Sequence, residues 1–254
     1  MKVRILGCGT STGVPKIGND WGSCDPGEPR NSRLRTSLLV ESGGERLLVD
    51  CGPDLRQQLL SARVGELRCV VVTHAHGDHC HGIDELRPVS QAIGGPVPLY
   101  ARREVLDELK LRFSYAFHRS DFYRPIVQAC EISEALELGS CRVRFVDQPH
   151  GGAMSLGLRF DEPGYSVGYA IDFSSLTDEM VALYHGVDVW IADCLTRTPH
   201  PTHMHLDAVL GAAKDLQVGQ LYLVHMGNSL DYRTLTAELP DWAAPAHDGL
   251  EFGS

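Results

Sequence analysis

Thr73-His74-Ala75-His76-Gly77-Asp78-His79 sets three imidazoles and a carboxylate side by side, directly after the apolar run Cys69-Val70-Val71-Val72. A short, unbroken, β-branched run of this kind suits a strand buried on both faces. Gly77 and its polar neighbours then take the chain out of the sheet, so side chains at the strand's end can converge on one point. Imidazole with carboxylate suits zinc, manganese or iron, whereas calcium and magnesium favour oxygen alone. Histidines merely scattered over a surface are the alternative; four ligand-type side chains packed this tightly at a strand end weigh against it. His74 and His76 stand at i and i+2, on the same side of an extended segment, unlike the i, i+4 pair of a helical metalloprotease site. Asp78 and His79 fall past the turn, so a second metal position is expected close to the first.

Further ligands are expected at other strand ends. Cys141-Arg142-Val143-Arg144-Phe145-Val146 alternates and runs into Asp147-Gln148-Pro149-His150-Gly151-Gly152. Tyr165 to Ile171 is strand-like and stops at Asp172, and Gln220-Leu221-Tyr222-Leu223-Val224 stops at His225-Met226-Gly227. Each run ends in one metal-competent residue followed by turn chemistry. A single His or Asp at a strand end is usually structural; together these complete a constellation.

The order His-x-His-x-Asp-His, then a single His, an Asp and a final His, resembles the metallo-β-lactamase superfamily. The resemblance runs from Leu6-Gly7-Cys8-Gly9-Thr10-Ser11-Thr12-Gly13-Val14-Pro15 to Asp248-Gly249-Leu250-Glu251. Those flanking motifs are similar to the branch of phosphoribosyl cyclic phosphodiesterases (PhnP-like) and, more distantly, of tRNA 3′-processing endonucleases. The resemblance implies two divalent metal ions, zinc or manganese. His74, His76 and His150 would hold one, and Asp78, His79 and His225 the other. Asp172 would bridge them together with a water or hydroxide that acts as nucleophile. The branch also carries a further His before a helix, which contacts the phosphate or protonates the leaving group. His203 and His205 compete for that place, and motif register favours His203; His200 reads as a surface residue. Asp78, Asp172 and His203 are the catalytic set so implied, and Asp207 is expected to cap the helix that follows. Asp50 and Asp193, each ending an apolar run, are the expected orienters of ligand imidazoles, and Asp84 is a weaker candidate.

One departure stands out. PhnP-like proteins often add a structural zinc, held by cysteines after Gly-Val-Pro and a His three residues past the last ligand. Here the loop Lys16 to Cys24 has one cysteine and the partner position is Asn228. A closed zinc site needs four ligands, so that site is expected to be absent, with Trp21 packing in its place.

The expected fold is α/β, a four-layer αβ/βα sandwich formed by residues 1–254 as one domain. With 254 residues and 43% hydrophobic content the chain can bury one substantial core. Strand runs are read at 2–8, 36–42, 46–51, 69–73, 97–100, 141–147, 155–160, 166–171, 188–193 and 220–225. Helical stretches are read at 54–60, 103–109 and 208–214. The eight cysteines form no Cys-x-x-Cys pair and read as reduced, buried small residues. Met1-Lys2-Val3-Arg4-Ile5 reads as strand rather than signal peptide, and no apolar span reaches membrane length, so a cytoplasmic setting is expected.

The aromatic, basic segment 113–125 lacks periodicity. It reads equally as a substrate-covering loop, with His118 and Arg124 as substrate-binding residues, or as a loop packed by its own aromatics at a homodimer interface. Arg30, Arg33 and Arg35 read as an ordinary solvated face. The formal charge of −10 argues against a long nucleic acid, whose binding needs a basic face. The expectation is a small cyclic or nucleotide-like phosphodiester as substrate. A thioester or lactone hydrolase, a tRNA 3′-processing-type endonuclease and a non-catalytic metal-binding module are the alternatives.

Overall fold

A computed structural model describes residues 1–119, 123–132 and 134–253. The first half contains β1 (Lys2–Gly7), β2 (Ser37–Ser42), β3 (Glu45–Val49), α1 (Leu55–Ala62), β4 (Cys69–Val71) and α2 (Gly77–Cys80). It continues through α3 (Leu86–Ala92), β5 (Val97–Ala101), α4 (Arg103–Arg112), α5 (Ser114–Phe117) and β6 (Val127–Glu131). The second half has β7 (Ala135–Leu138), β8 (Cys141–His150), β9 (Ala153–Glu162), β10 (Tyr165–Ala170), α6 (Asp178–Tyr184) and β11 (Val189–Asp193). It ends with α7 (Leu206–Asp215), β12 (Gln220–Val224), α8 (Tyr232–Glu238), β13 (Ala243–Pro245) and β14 (Glu251–Gly253).

These strands build two seven-stranded sheets, ordered β14-β1-β2-β3-β4-β5-β6 and β13-β12-β11-β10-β9-β8-β7. Period-two alternation sorts the first sheet's side chains between two cores. Val3, Ile5, Leu38, Val40, Leu47, Val49 and Val71 face the second sheet, in one cluster with Leu156, Leu158, Val167 and Tyr169. Leu39, Leu48 and Val70 face the other way, against Leu55 and Leu59 of α1, Leu86 of α3 and Leu106 and Leu109 of α4. Met180 of α6, Val209 of α7 and Leu235 of α8 pack against the second sheet. The result is the expected four-layer α/β sandwich.

In each half, parallel pairing joins the strands nearest the site, β3–β4–β5–β6 and β10–β11–β12–β13. Ligand sites in α/β sheets lie at the carboxyl ends of such strands. All the strand runs read from the sequence are present, with ends shifted by a few residues. β6, β7, β13 and β14 went unread, being short edge or near-edge strands with weak alternation.

Two local expectations need correction. Asp207 is not a cap: α7 begins at Leu206, with His205 at the cap position and Asp207 in the first turn, where its charge still favours the helix N-terminus. Arg33 is not on a solvated face but only 2% exposed. Its guanidinium donates to Gly227 O (3.1 Å), Leu230 O (2.6 Å) and Asn31 Oδ1 (3.2 Å), tying the N-terminal loops to the segment after β12.

The loop that resembles a zinc-holding one is fastened by other means. Ser23 N donates to Asn228 O (2.8 Å), and Cys24 lies beside Arg33 Nη1 (4.0 Å). Trp21 is half-buried and donates its indole N–H to Asn19 Oδ1 (3.0 Å). Asp231 completes the fastening. It accepts from Asp25 N (3.1 Å) and Asn31 Nδ2 (2.6 Å) and caps α8 through Thr234 N (2.9 Å). Burial opposes its ionisation, yet the Thr234 and Asp25 amides and the Asn31 side chain hold its carboxyl well below the usual carboxylate range. Asp231→Ala is expected to cost about 1–3 kcal/mol in urea unfolding at neutral pH. Because the folded-state value is lowered, this contribution is complete above about pH 4 and fades as the pH falls through the folded value. The stability gap between wild type and variant should therefore narrow in acid.

Candidate metal centre

Four strand ends deliver the donors. The segment after β4 supplies His74, His76, Asp78 and His79, the last two on the single turn α2. His150 ends β8, Asp172 follows β10, and His225 follows β12. Asp50, just past β3, stands behind them. Asp50, Asp172 and His225 all have left-handed backbones, with φ of +63°, +51° and +57°. Each such residue costs about 1–3 kcal/mol, strain that collects at functional sites and here breaks the strand alternation to turn the side chain inward. Gly52 allows a close approach from behind, since a Cβ there would lie 2.0 Å from Asp78 O.

Among the described residues Asp172 is shared by three groups of possible donors, His74–His76–His150–Asp172, Asp78–His79–Asp172–His225 and, on the flank, Asp172–Asp193–His203. In the first, His74 Nε2 is 2.9 Å from His76 Nδ1 and 3.1 Å from Asp172 Oδ2. His150 Nε2 is 3.4 Å from His76 Nδ1 and 3.7 Å from Asp172 Oδ2. In the second, His79 Nε2 is 3.1 Å from both Asp78 Oδ2 and Asp172 Oδ2, and His225 Nε2 is 3.3 Å from Asp172 Oδ1. A tetrahedral cation with donors at about 2.0–2.1 Å keeps them about 3.3–3.4 Å apart, which falls inside the 2.9–3.7 Å range of these pairs. His79 Nε2 and Asp172 Oδ1 are buried without a hydrogen-bond partner. Orphans of this kind are costly unless a cation satisfies them.

The far side of each ring explains why these nitrogens face inward. His79 Nδ1 donates to Asp50 Oδ2 (2.8 Å). Thr73 Oγ1 donates to the same Asp50 oxygen (3.0 Å) and so is left to accept from His74 Nδ1 (3.0 Å). Thr36 Oγ1 likewise donates to Gly9 O (2.8 Å) and accepts from His225 Nδ1 (3.0 Å). His150 Nδ1 donates to Thr202 O (3.0 Å). Each proton is thereby drawn to Nδ1 and the Nε2 lone pair points at the cluster, the arrangement that orients metal-binding histidines.

Charge follows the same logic. Burial holds the His76 and His150 imidazoles below their ordinary value and lowers His225 to about 4, favouring neutral donors. Asp172 is wholly buried, yet the His225 and His79 charges hold its carboxyl well below the usual range. Burial also opposes ionisation of Asp78, and the His79 ring beside it, with Nε2 3.1 Å from Oδ2, overcomes it. His79 resists burial in the other direction, because Asp172 and Asp50 push it well above the imidazole range. The donor set and its buried orphans fit a divalent metal.

His203 lines the same cleft, of about 220 Å³, with His76, Asp78, His150, Asp172 and His225. Its ring stacks on His225 with centroids 5.1 Å apart, and Nδ1 donates to Asp193 Oδ2 (2.8 Å). Burial would depress this imidazole, but the Asp193 hydrogen bond and charge hold it above its ordinary value. His205 is spent on the start of α7, its backbone paired with Thr196, and it does not line the cleft.

His118 and Arg124 also lie away from the cleft. His118 Nδ1 donates to Ser114 O (2.7 Å) beside Lys110 and Phe117, and Arg124 borders a separate cavity with Arg87 and Ser90. Of segment 113–125, residues 120–122 fall outside those described. Asp84 accepts from Tyr115 Oη (2.6 Å), again away from the cluster. Thr36, Thr73 and the Thr202 carbonyl went unread as site groups, because a threonine beside a strand carries no signal of its own. Seven cysteines are buried and Cys130 is partly so, all without disulfides. Cys80 contacts Ala75 O rather than the donors. Among the described residues no helix is long and apolar enough to cross a membrane.

Comparison with known proteins gives the family and the fold. The family described as the beta-lactamase superfamily domain matches residues 45–226. A solved structure described as a new diphosphatase from the PhnP family is 34% identical, covering 99% of this chain and 96% of that one at a TM-score of 0.90. Zn(2+)-bound PqqB from Methylobacterium extorquens shares the fold at a TM-score of 0.81 and 20% identity, over the full length of both chains. An octanoyltransferase from Porphyromonas gingivalis is 29% identical over 99% of this chain, which spans about half (51%) of that protein. The chain belongs to the beta-lactamase superfamily, is similar to a PhnP-family protein within it, and carries the superfamily's metal-dependent hydrolase domain.

Proposed function

We propose that residues 1–254 act as one hydrolase domain that cleaves a small phosphodiester with two divalent ions, zinc or manganese, held in adjacent positions. His74, His76 and His150 would hold one ion and Asp78, His79 and His225 the other, with Asp172 shared. Both chain ends support the single unit, since β14 pairs with β1 at the edge of the first sheet. Bound divalent ions supply Lewis acidity, lowering the pKa of water towards neutrality and offsetting phosphoryl charge.

The chain's own residues do the rest. Asp50, Thr73, Thr36 and the Thr202 carbonyl keep the ligand rings turned inward. Asp193 fixes His203 by Nδ1, which leaves the other ring nitrogen to hold a proton at the cleft. A leaving alkoxide needs such a donor, and proton transfer of this kind is worth roughly 10²–10⁴ in rate. The Asp193–His203 pair beside both donor groups is the observation that carries the reading. The PhnP-family diphosphatase, which by its name also cleaves phosphate linkages, supports it. The formal charge of −10 favours a small substrate over a long nucleic acid.

The test is a panel of bis(p-nitrophenyl) phosphate, a cyclic nucleotide, a thioester and a lactone, with the protein loaded separately with zinc and manganese. Diester hydrolysis that dominates and vanishes on chelation is the expected outcome. Turnover confined to the thioester or lactone would move the assignment to acyl chemistry.

A further inference from the structure

A second, larger cavity opens beside the cleft. It measures about 650 Å³ and shares His76 and Ala153 with the cleft, His74 also reaching its wall. That volume lies within the roughly 300–1,000 Å³ of sites for drug-sized organic groups.

Its charge is distinctive. Arg102 and Arg112 line it together with Glu104, Glu108 and Asp147, leaving one negative charge in excess. Both guanidiniums are already engaged. Arg102 Nε donates to Asp147 Oδ1 (2.8 Å), while Arg112 donates to Glu108 and to the Ala75 carbonyl. An entering anion that drew either arginine away would leave a carboxylate unpaired facing it, so the unfavourable sum stays the same. Val105 and Met154 also line it, and Met154 is 53% exposed although it belongs to β9. A lining that combines apolar side chains with hydrogen-bonding carboxylates and guanidiniums matches a flat or hydroxylated neutral group.

We infer that this cavity, beside the His74–His76 wall of the metal cleft, binds the uncharged organic group of the ester, a nucleoside or sugar, and selects against a second phosphoryl group there. The inference rests on the phosphodiester reading and names the class of diester. It separates this chain from enzymes whose substrate continues into another phosphate at that position.

Three p-nitrophenyl phosphodiesters test it on the metal-loaded protein, those of thymidine (through its 5′ oxygen), of methanol and of glycerol 3-phosphate. Wild type is expected to favour the thymidine ester over the glycerol 3-phosphate ester in kcat/KM by roughly tenfold or more. Met154→Trp, a change at a lining residue that is not itself a metal donor, should lower kcat/KM for the thymidine ester roughly tenfold and change the methyl ester much less. Glu108→Gln combined with Asp147→Asn should narrow the preference against the glycerol 3-phosphate ester. A wild-type preference for the doubly phosphorylated ester, or an equal loss on both esters in Met154→Trp at unchanged metal content, overturns the inference. If wild type cleaves none of the three, the phosphodiester reading itself fails. Thymidine binding followed by saturation-transfer NMR then decides the cavity separately: binding lost in Met154→Trp sustains it, and no binding to wild type removes it.

Discussion

Asp172→Asn is expected to lower phosphodiester turnover by roughly a thousandfold or more, equivalent to about 4 kcal/mol of transition-state stabilisation. Among the described residues no other side chain belongs to both the His74 and the His79 donor groups, with Oδ2 near His74, His79 and His150 and Oδ1 near His225. An amide keeps the shape but removes the charge and turns one acceptor into a donor pair facing imidazole lone pairs. Metal content by elemental analysis should fall together with activity. The fold should persist, because the carboxylate's backbone is fastened independently, Ser155 Oγ donating to Asp172 O (2.8 Å). Full metal content with wild-type turnover in a folded Asp172→Asn protein would remove the shared-ligand assignment.

His203→Ala should separate proton transfer from metal binding. Turnover of a diester with an alkoxide leaving group is expected to fall roughly 10²–10⁴-fold. With p-nitrophenolate, which departs without a proton, the loss should be less than about tenfold. Metal content should not change, since His203 Nδ1 is committed to Asp193 and its nearest donor-group oxygen, Asp172 Oδ1, is 3.8 Å away. Asp193→Asn should reproduce part of the effect by loosening the ring. His205→Ala, at the start of α7, is expected to leave both substrates nearly unaffected. Equal losses on good and poor leaving groups would mean that His203 only supports the metals.

How much could be read in advance depended on where each signal lives along the chain. His74 to His79 announce themselves, because the four donor side chains are adjacent in sequence and follow a buried strand. His150, Asp172 and His225 were readable as the ends of alternating runs, although each alone is weak. Asp50 and Asp193 followed from the same rule and hold ring N–H groups as expected. Arg33 was misread because a charged residue flanked by two others looks solvated. Only the fold shows the carbonyls of Gly227 and Leu230 meeting it from the far end of the chain. His118 and Arg124 had composition in their favour and no constraint on direction, and the structure turns them elsewhere. β13 and β14 were invisible because such short strands owe their existence to a neighbouring strand's free edge rather than to their own residues.

The order of donor types along the chain, and their attachment to strand ends, was settled by the amino-acid sequence alone, since strand periodicity and turn chemistry act over a few residues. The tertiary structure decided which ring nitrogen faces inward, which of two neighbouring histidines meets the cleft, and which charges wall the larger cavity. Those outcomes depend on acceptors such as Thr36, Thr202 and Asp193, brought into contact only when the two sheets close on each other. Burial then makes every unmatched donor or charge costly enough to choose a single arrangement.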